Sequence, residues 1–144
     1  MAEQRVHIWA GTTNKTEEQF YKYFDQTKFL KDNHLFNTDE NYPRSSPDFN
    51  MRSQFSKAID KQYDYDAKWI TIFFSRKRIS IQAAIEELPI WNDKTEVEIY
   101  QACVNKGISA VNVILCYADN DLKIDKPLDN YNDMSYVGCF SIQG

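Results

Sequence analysis

Glycine is scarce in this 144-residue chain, with four copies, and so are cysteine, with three, and histidine, with two. Four glycines leave little material for a Gly-rich phosphate loop, and the sequence contains none. Cys103, Cys116 and Cys139 are odd in number, far apart and without a Cys-x-x-Cys pair. Each sits among apolar neighbours, which predicts reduced core packing rather than a disulfide or a metal site. His7 falls in a strand pattern beside Trp9 and His34 in a polar loop, with no His-x-x-x-His spacing. The first reads as a satisfied core residue and the second as a solvated one. No local nucleophile signature accompanies the serines or cysteines. Glu86-Glu87 offers two carboxylates for acid–base work, but carboxylates are common on any surface. No catalytic, metal-binding or cofactor-binding residue follows from the sequence, and no cofactor is expected.

Long apolar runs are missing too. None approaches the roughly 18–20 residues that cross a bilayer as a helix. Met1-Ala2-Glu3-Gln4-Arg5 lacks the charged-then-apolar plan of a secretory signal, so a cytoplasmic location is expected, with no membrane partner. Positive charge is in deficit: 17 Lys and Arg against 21 Asp and Glu give a net charge of −4. Nucleic-acid binding draws on Lys and Arg to neutralise phosphates, so that class of partner is disfavoured. The balance suits a basic protein partner, and it is also the ordinary state of a soluble protein. What is abundant is core material, at 42% hydrophobic and 15% aromatic residues. One domain spanning 1–144 is expected.

Hydrophobic periodicity orders the elements. Residues 5–10 read as a strand with Val6, Ile8 and Ala10 on one face and His7 and Trp9 on the other. Gly11 ends it, and Asn14 with Glu17 resembles a capping box for a helix carrying Phe20, Tyr21, Phe24 and Phe29. Residues 31–48 read as a long loop. Ser46-Pro47 offers a helix entry, and Phe49, Phe55 and Ile59 would turn inward. Residues 67–74 alternate as a second strand, with Trp69, Thr71 and Phe73 opposite Ile70, Ile72 and Phe74, followed by a basic turn at Ser75-Arg76-Lys77-Arg78. Ser80 caps a short helix that Pro89 terminates. A further helix starts at Asn92 or Asp93, runs through Val97, Tyr100, Cys103 and Val104, and stops at Gly107. Residues 110–117 are apolar on both faces, as in a central strand: Val111, Val113 and Leu115 oppose Ile114 and Cys116. A polar excursion over 118–134 leads to the last strand, 135–142, with Tyr136, Phe140 and Ile142 opposite Val137 and Cys139. The fold class is α+β: one mixed or mostly antiparallel sheet of about four strands with helices packed on it.

Candidate partner-binding residues come from acid and aromatics. Tyr63-Asp64-Tyr65-Asp66 alternates stiff amphipathic rings with carboxylates, a combination suited to interface hot spots. An equal reading packs one tyrosine on the preceding helix and leaves the aspartates in water. Trp91, just after Pro89, is a second aromatic anchor, unless it folds back on the core. Asp119, Asp121 and Asp125 belong to an acidic tract reaching Asp133, which lacks the glycine turn and terminal glutamate of a calcium loop. It reads either as a solvated connection or as an arm that steers a basic partner.

Val6-His7-Ile8-Trp9-Ala10-Gly11, Ser53-Gln54-Phe55 with its helix, Tyr63 to Asp66, Val111 to Tyr117 and Tyr136-Val137-Gly138-Cys139-Phe140 are each short. In this order they resemble the immunity protein 22 family from about Val6 to Phe140. The 30–50 segment is longer than the family's usual connection, and the Arg76 to Arg78 turn departs from its pattern. The resemblance implies an α+β protein encoded beside a bacterial polymorphic toxin, which neutralises the cognate C-terminal toxin domain by binding rather than catalysis. It carries over no catalytic residue. A basic toxin, a nuclease among the choices, fits the acidic chain. The alternative is a small-ligand binder or a stand-alone enzyme, which would need a deep pocket with a perturbed histidine or carboxylate.

Overall fold

A computed structural model describes residues 4–25, 53–59, 70–90, 92–120, 122–124, 128 and 130–142. In chain order the elements are β1 (Gln4–Gly11), α1 (Glu17–Lys22), α2 (Gln54–Ala58), β2 (Ile70–Ser80), α3 (Ile81–Glu86), α4 (Asp93–Asn105), β3 (Ala110–Ala118), β4 (Asn130–Tyr131) and β5 (Met134–Ile142). They gather into two compact units, Met1–Asn14 with Asp66–Gly144, and Lys15–Tyr65. The expected loop at 31–48, the Ser46-Pro47 entry, His34, Phe29, Phe49 and Trp69 lie outside the described residues.

The first unit holds a five-stranded sheet in the order β2-β3-β1-β5-β4, antiparallel throughout. The expected α+β class and antiparallel sheet hold. The additional strand is β4, two residues inside the stretch read as a polar excursion. β1 is central and buried on both faces. Val6, Ile8 and Ala10 join a core with Ile85 and Leu88 of the α3 region, Ile99 and Cys103 of α4, and Ile114 of β3. His7 and Trp9 point the other way, as strand alternation requires. Trp9 has no exposed surface and packs edge-on against Tyr131, 6.0 Å between ring centroids, and against Tyr136 at 5.1 Å.

Two register shifts alter the expected faces. β5 pairs Ile8 with Gly138 and Trp9 with Tyr136, so Val137 is the extra residue of a bulge. Val137, Phe140 and Ile142 therefore pack on the helix-side core, and Tyr136 crosses to the Trp9 side. The sequence pattern had grouped Tyr136 with Phe140 and Ile142. In β2 the register slips between Phe74 and Ile79, and Ser75-Arg76-Lys77-Arg78, read as a turn, is part of an eleven-residue strand. Val111 joins Ile114 and Cys116 in the core instead of opposing them. Cys103 and Cys116 are buried, and burial pushes their thiols up to about 11 and about 12; Cys139, expected in the core, is exposed.

Local signals fix the helix ends. Ser80 Oγ accepts from the Ala83 amide at 3.2 Å and Asn92 Oδ1 from the Thr95 amide at 3.1 Å. α4 closes where Gly107, at φ +78°, donates to Val104 and Ile108 donates to Cys103, satisfying two terminal carbonyls. α1, in the second unit, starts two residues later than expected. Thr16 and Gln19 form the capping box, with the Gln19 amide 3.2 Å from Thr16 Oγ1 and the Thr16 amide 3.0 Å from Gln19 Oε1. Thr16-Glu17-Glu18-Gln19 fits the box as well as Asn14 to Glu17 does, and only one of two overlapping boxes can form. Within this unit Phe24 packs at a tilt against Phe20 and Phe55 at centroid distances of 5.5 and 5.2 Å, and the Phe55 amide donates to the Tyr23 carbonyl.

The exit of β1 is pinned by contacts that need its last residue to be glycine. A Cβ on Gly11 would run into the Asp133 carbonyl and sit 2.9 Å from Met134 Cα. The β4–β5 hairpin presses there through Asn132 and Asp133, both at positive φ, as a tight two-residue turn demands. Beyond Gly11, the Asn112 side chain accepts from the Thr13 amide and donates to the Thr13 carbonyl, at 2.8 and 2.9 Å. Gly11→Ala is expected to lower stability by about 1–3 kcal/mol, the usual cost of overpacking, measured as a shift in urea midpoint. Trp9→Ala is expected to cost about 3–5 kcal/mol, typical of a buried large aromatic. A Trp9→Ala protein melting like the parent would remove Trp9 from the structural core.

Candidate functional site

His7 is the described residue closest in character to a catalytic group, and its surroundings explain why it is structural. It is 2% exposed on β1. The Asp119 carbonyl, 3.2 Å from Nε2, only accepts, so Nε2 carries the proton and donates. The neutral ring then accepts at Nδ1 from the Tyr136 hydroxyl, 2.8 Å away. Burial, chiefly, holds the Tyr136 hydroxyl well above its ordinary pKa, with Cys139 and Tyr131 adding to the effect, so it stays a neutral donor. Burial also lowers the His7 pKa below 6.5, against the opposing Asp119 carbonyl and Asp119 charge and with a lesser push from Arg5. Both ring nitrogens are thus committed in a site that substrate does not reach. Among the described residues, no group of three or more His, Cys, Asp and Glu is placed to hold a metal ion. No described helix is long and apolar enough to cross a membrane.

The sequence-derived partner-binding set is mostly beyond description. Tyr63, Asp64, Tyr65, Asp66, Trp91, Asp121 and Asp125 lie outside the described residues. Asp119 is described and half-buried at the end of β3. Its amide donates to the Arg5 carbonyl, its own carbonyl receives His7, and its carboxylate accepts from the Leu122 amide at 3.1 Å. Those bonds stitch the β1–β3 end together.

The described surface with the strongest binding character lies on α3 and α4. Their inner sides are anchored. Thr95, Ile99 and Cys103 are buried along α4, Thr95 Oγ1 donates to the Ser141 carbonyl at 2.9 Å, and Ile81 donates to Ser109. Leu88 and Ile90 bury the connection between the two helices. The outer side of α4 is apolar as well: Val97 is 58% exposed, Tyr100 37% and Val104 45%. Between the helices runs a groove of about 440 Å³, lined by Ile85, Val97 and Tyr100 together with Glu86, Asp93 and Glu96. Among the described residues, every charged one lining it is a carboxylate. Sequence reasoning placed Val97, Tyr100 and Val104 on a helix without separating them from the core face. The usable signal was that Thr95, Ile99 and Cys103 make one stripe and Val97, Tyr100 and Val104 a second, nearly opposite one.

Linkage gives His7 a sign. Its folded pKa is below the unfolded value, so the unfolded chain binds the proton more readily. The contribution is full above about pH 6.5 and is lost as pH falls through and below that value. Between about pH 7 and pH 5 the parent should therefore lose more melting temperature than His7→Gln. Equal losses would mean that His7 titrates alike in both states.

Neither a curated protein nor a solved structure matches the chain. A family model described as Immunity protein 22 matches residues 6–142. That span takes in the whole described sheet from Val6 and both described helices of each unit. The family's name supports a non-catalytic, immunity-type function. By this match over nearly its full length, the chain belongs to the immunity protein 22 family.

Proposed function

We propose that the protein neutralises a cognate bacterial toxin domain in the cytoplasm by binding it directly, and that the toxin is basic, with a nuclease as first choice. The observation that carries this reading is the family match over residues 6–142. The net charge of −4 supports the basic partner. A nuclease must present Lys, Arg or His to phosphate, and carboxylates on an inhibitor occupy the same surface as a polyanion would. Steering by such charge raises association rates about 10–1000-fold over an uncharged pair. The rival reading, a small-ligand binder or enzyme, gains nothing from His7, whose nitrogens are both engaged in the interior.

Tyr63, Asp64, Tyr65, Asp66 and Trp91, with Asp121 and Asp125, belong to this proposal as candidate partner-binding residues, the rings for contact and the aspartates for steering. Co-expression with the toxin domain encoded beside this chain is expected to restore growth, and the two are expected to co-purify. Association should slow as salt rises, because exposed charges farther apart than roughly 8 Å are screened at physiological ionic strength. Asp64→Lys with Asp66→Lys should slow association further without moving the melting temperature. Failure to bind every toxin domain encoded nearby would sink the proposal. Salt-independent association would remove its electrostatic part.

A further inference from the structure

We propose that the groove between α3 and α4 is the anchor site for the toxin, and that it takes a basic segment bearing one aliphatic or aromatic side chain. The inference rests on the binding function above and names the surface and the chemistry of its occupant. Val97, Tyr100 and Val104 are spaced three and four residues apart, so they form a continuous stripe along α4. Exposed apolar residues scattered singly are ordinary, but a contiguous stripe bordered by polar groups marks an interaction surface. The core does not require this stripe, because Thr95, Ile99 and Cys103 already bury the opposite side of the helix. The groove of about 440 Å³ has room for a large side chain against Ile85, Val97 and Tyr100. Tyr100 offers the broad, stiff contact area typical of interface hot spots.

Charge selects the occupant. Glu86, Asp93 and Glu96 line the groove, and among the described residues no cation lines it. A second copy docked about a two-fold axis would bring the same carboxylates towards each other, and like charges across an interface are unfavourable. Nucleic acid is repelled on the same ground. A Lys- or Arg-bearing protein segment complements all three carboxylates while its apolar side chain enters between the helices. The neighbouring side of α4 differs: Lys94 and Glu98, of opposite sign, line a separate recess with Phe140 and the exposed Cys139. It supplies the internal control.

The probe is the toxin domain encoded beside this chain, titrated by surface plasmon resonance against the full-length protein and its variants. Val97→Ser with Tyr100→Ala is expected to raise Kd about tenfold or more, chiefly through faster dissociation. Glu86→Lys with Glu96→Lys is expected to slow association about tenfold at low salt. Glu98→Lys should leave dissociation near the parent's and slow association less than the groove pair does. Melting temperatures are read alongside, and Val97→Ser alone, at a site 58% exposed, serves if the double variant unfolds. A parent that binds while both groove variants stay within about twofold of its Kd overturns the anchor site and leaves the immunity function standing. A parent that binds no nearby toxin domain overturns both.

Discussion

β1 has strands on both sides and side chains buried on both faces, and this double confinement governs the first unit. Its amides and carbonyls are divided between β3 and β5, so the strand is held by pairing on each edge. One face must then meet helices and the other must be closed by other means. The alternation of Val6, Ile8 and Ala10 with His7 and Trp9 fits that demand: aliphatic groups meet α3 and α4, and aromatic groups meet Tyr131 and Tyr136. Burying an imidazole is costly unless both nitrogens are bonded, and the bulge in β5 is what brings the Tyr136 hydroxyl to Nδ1. Gly11 completes the arrangement because the β4–β5 hairpin approaches too closely for any side chain there.

Holding β1 this way leaves the helix layer with two unlike sides. The inner side of α4 is fixed by burial of Ile99 and Cys103 and by the Thr95 bond to β5. The outer side is free of structural duty to the sheet, yet it carries Val97, Tyr100 and Val104 beside carboxylates. Polar residues there would favour solubility, so the apolar stripe makes physical sense when something else covers it. A rigid sheet behind the groove also lowers the ordering cost of binding, since the lining helices are already positioned.

How much of this could be read in the sequence depends on whether a feature is local. Ser80 and Asn92 cap the helices they were expected to cap, and Gly107 ends α4, because each acts through bonds within four or five residues. The alternation in β1 was legible because a strand buried on both faces still separates its faces by residue type. The bulge at Val137 and the slip in β2 were not, since a bulge is defined by the partner strand and nothing in either segment alone announces it. Val137 and Tyr136 look like ordinary neighbours until Gly138 is paired with Ile8. The start of α1 was ambiguous for a different reason: two capping boxes overlap and only their competition decides. On α4, apolar residues at nearly opposite angles defeat a single-face reading, and the groove itself exists only once α3 is packed beside α4. The acidic candidates chosen from composition identified a charge sign, which the groove shares, but Asp119 serves the β1–β3 junction instead.

A division of labour between charge and apolar contact follows from the distances over which each acts. Carboxylates distributed over the chain influence a basic partner through solvent, but only within about a Debye length, and salt weakens them there. In the proposed complex they would set how fast the partner arrives and which partners are repelled. Contact with Ile85, Val97 and Tyr100 would begin only when water has left the groove, and salt would hardly touch it. It would set how long the partner stays. In the groove the two meet, because Glu86, Asp93 and Glu96 border the apolar floor. Glu86 and Asp93 are exposed in the free protein, and once a partner covers the groove its carboxylates gain from a fitting cation and lose if left without one. A partner with the apolar side chain but no cation would therefore bind less well than its contact area implies, and specificity among related toxins would arise from that penalty as much as from the attraction.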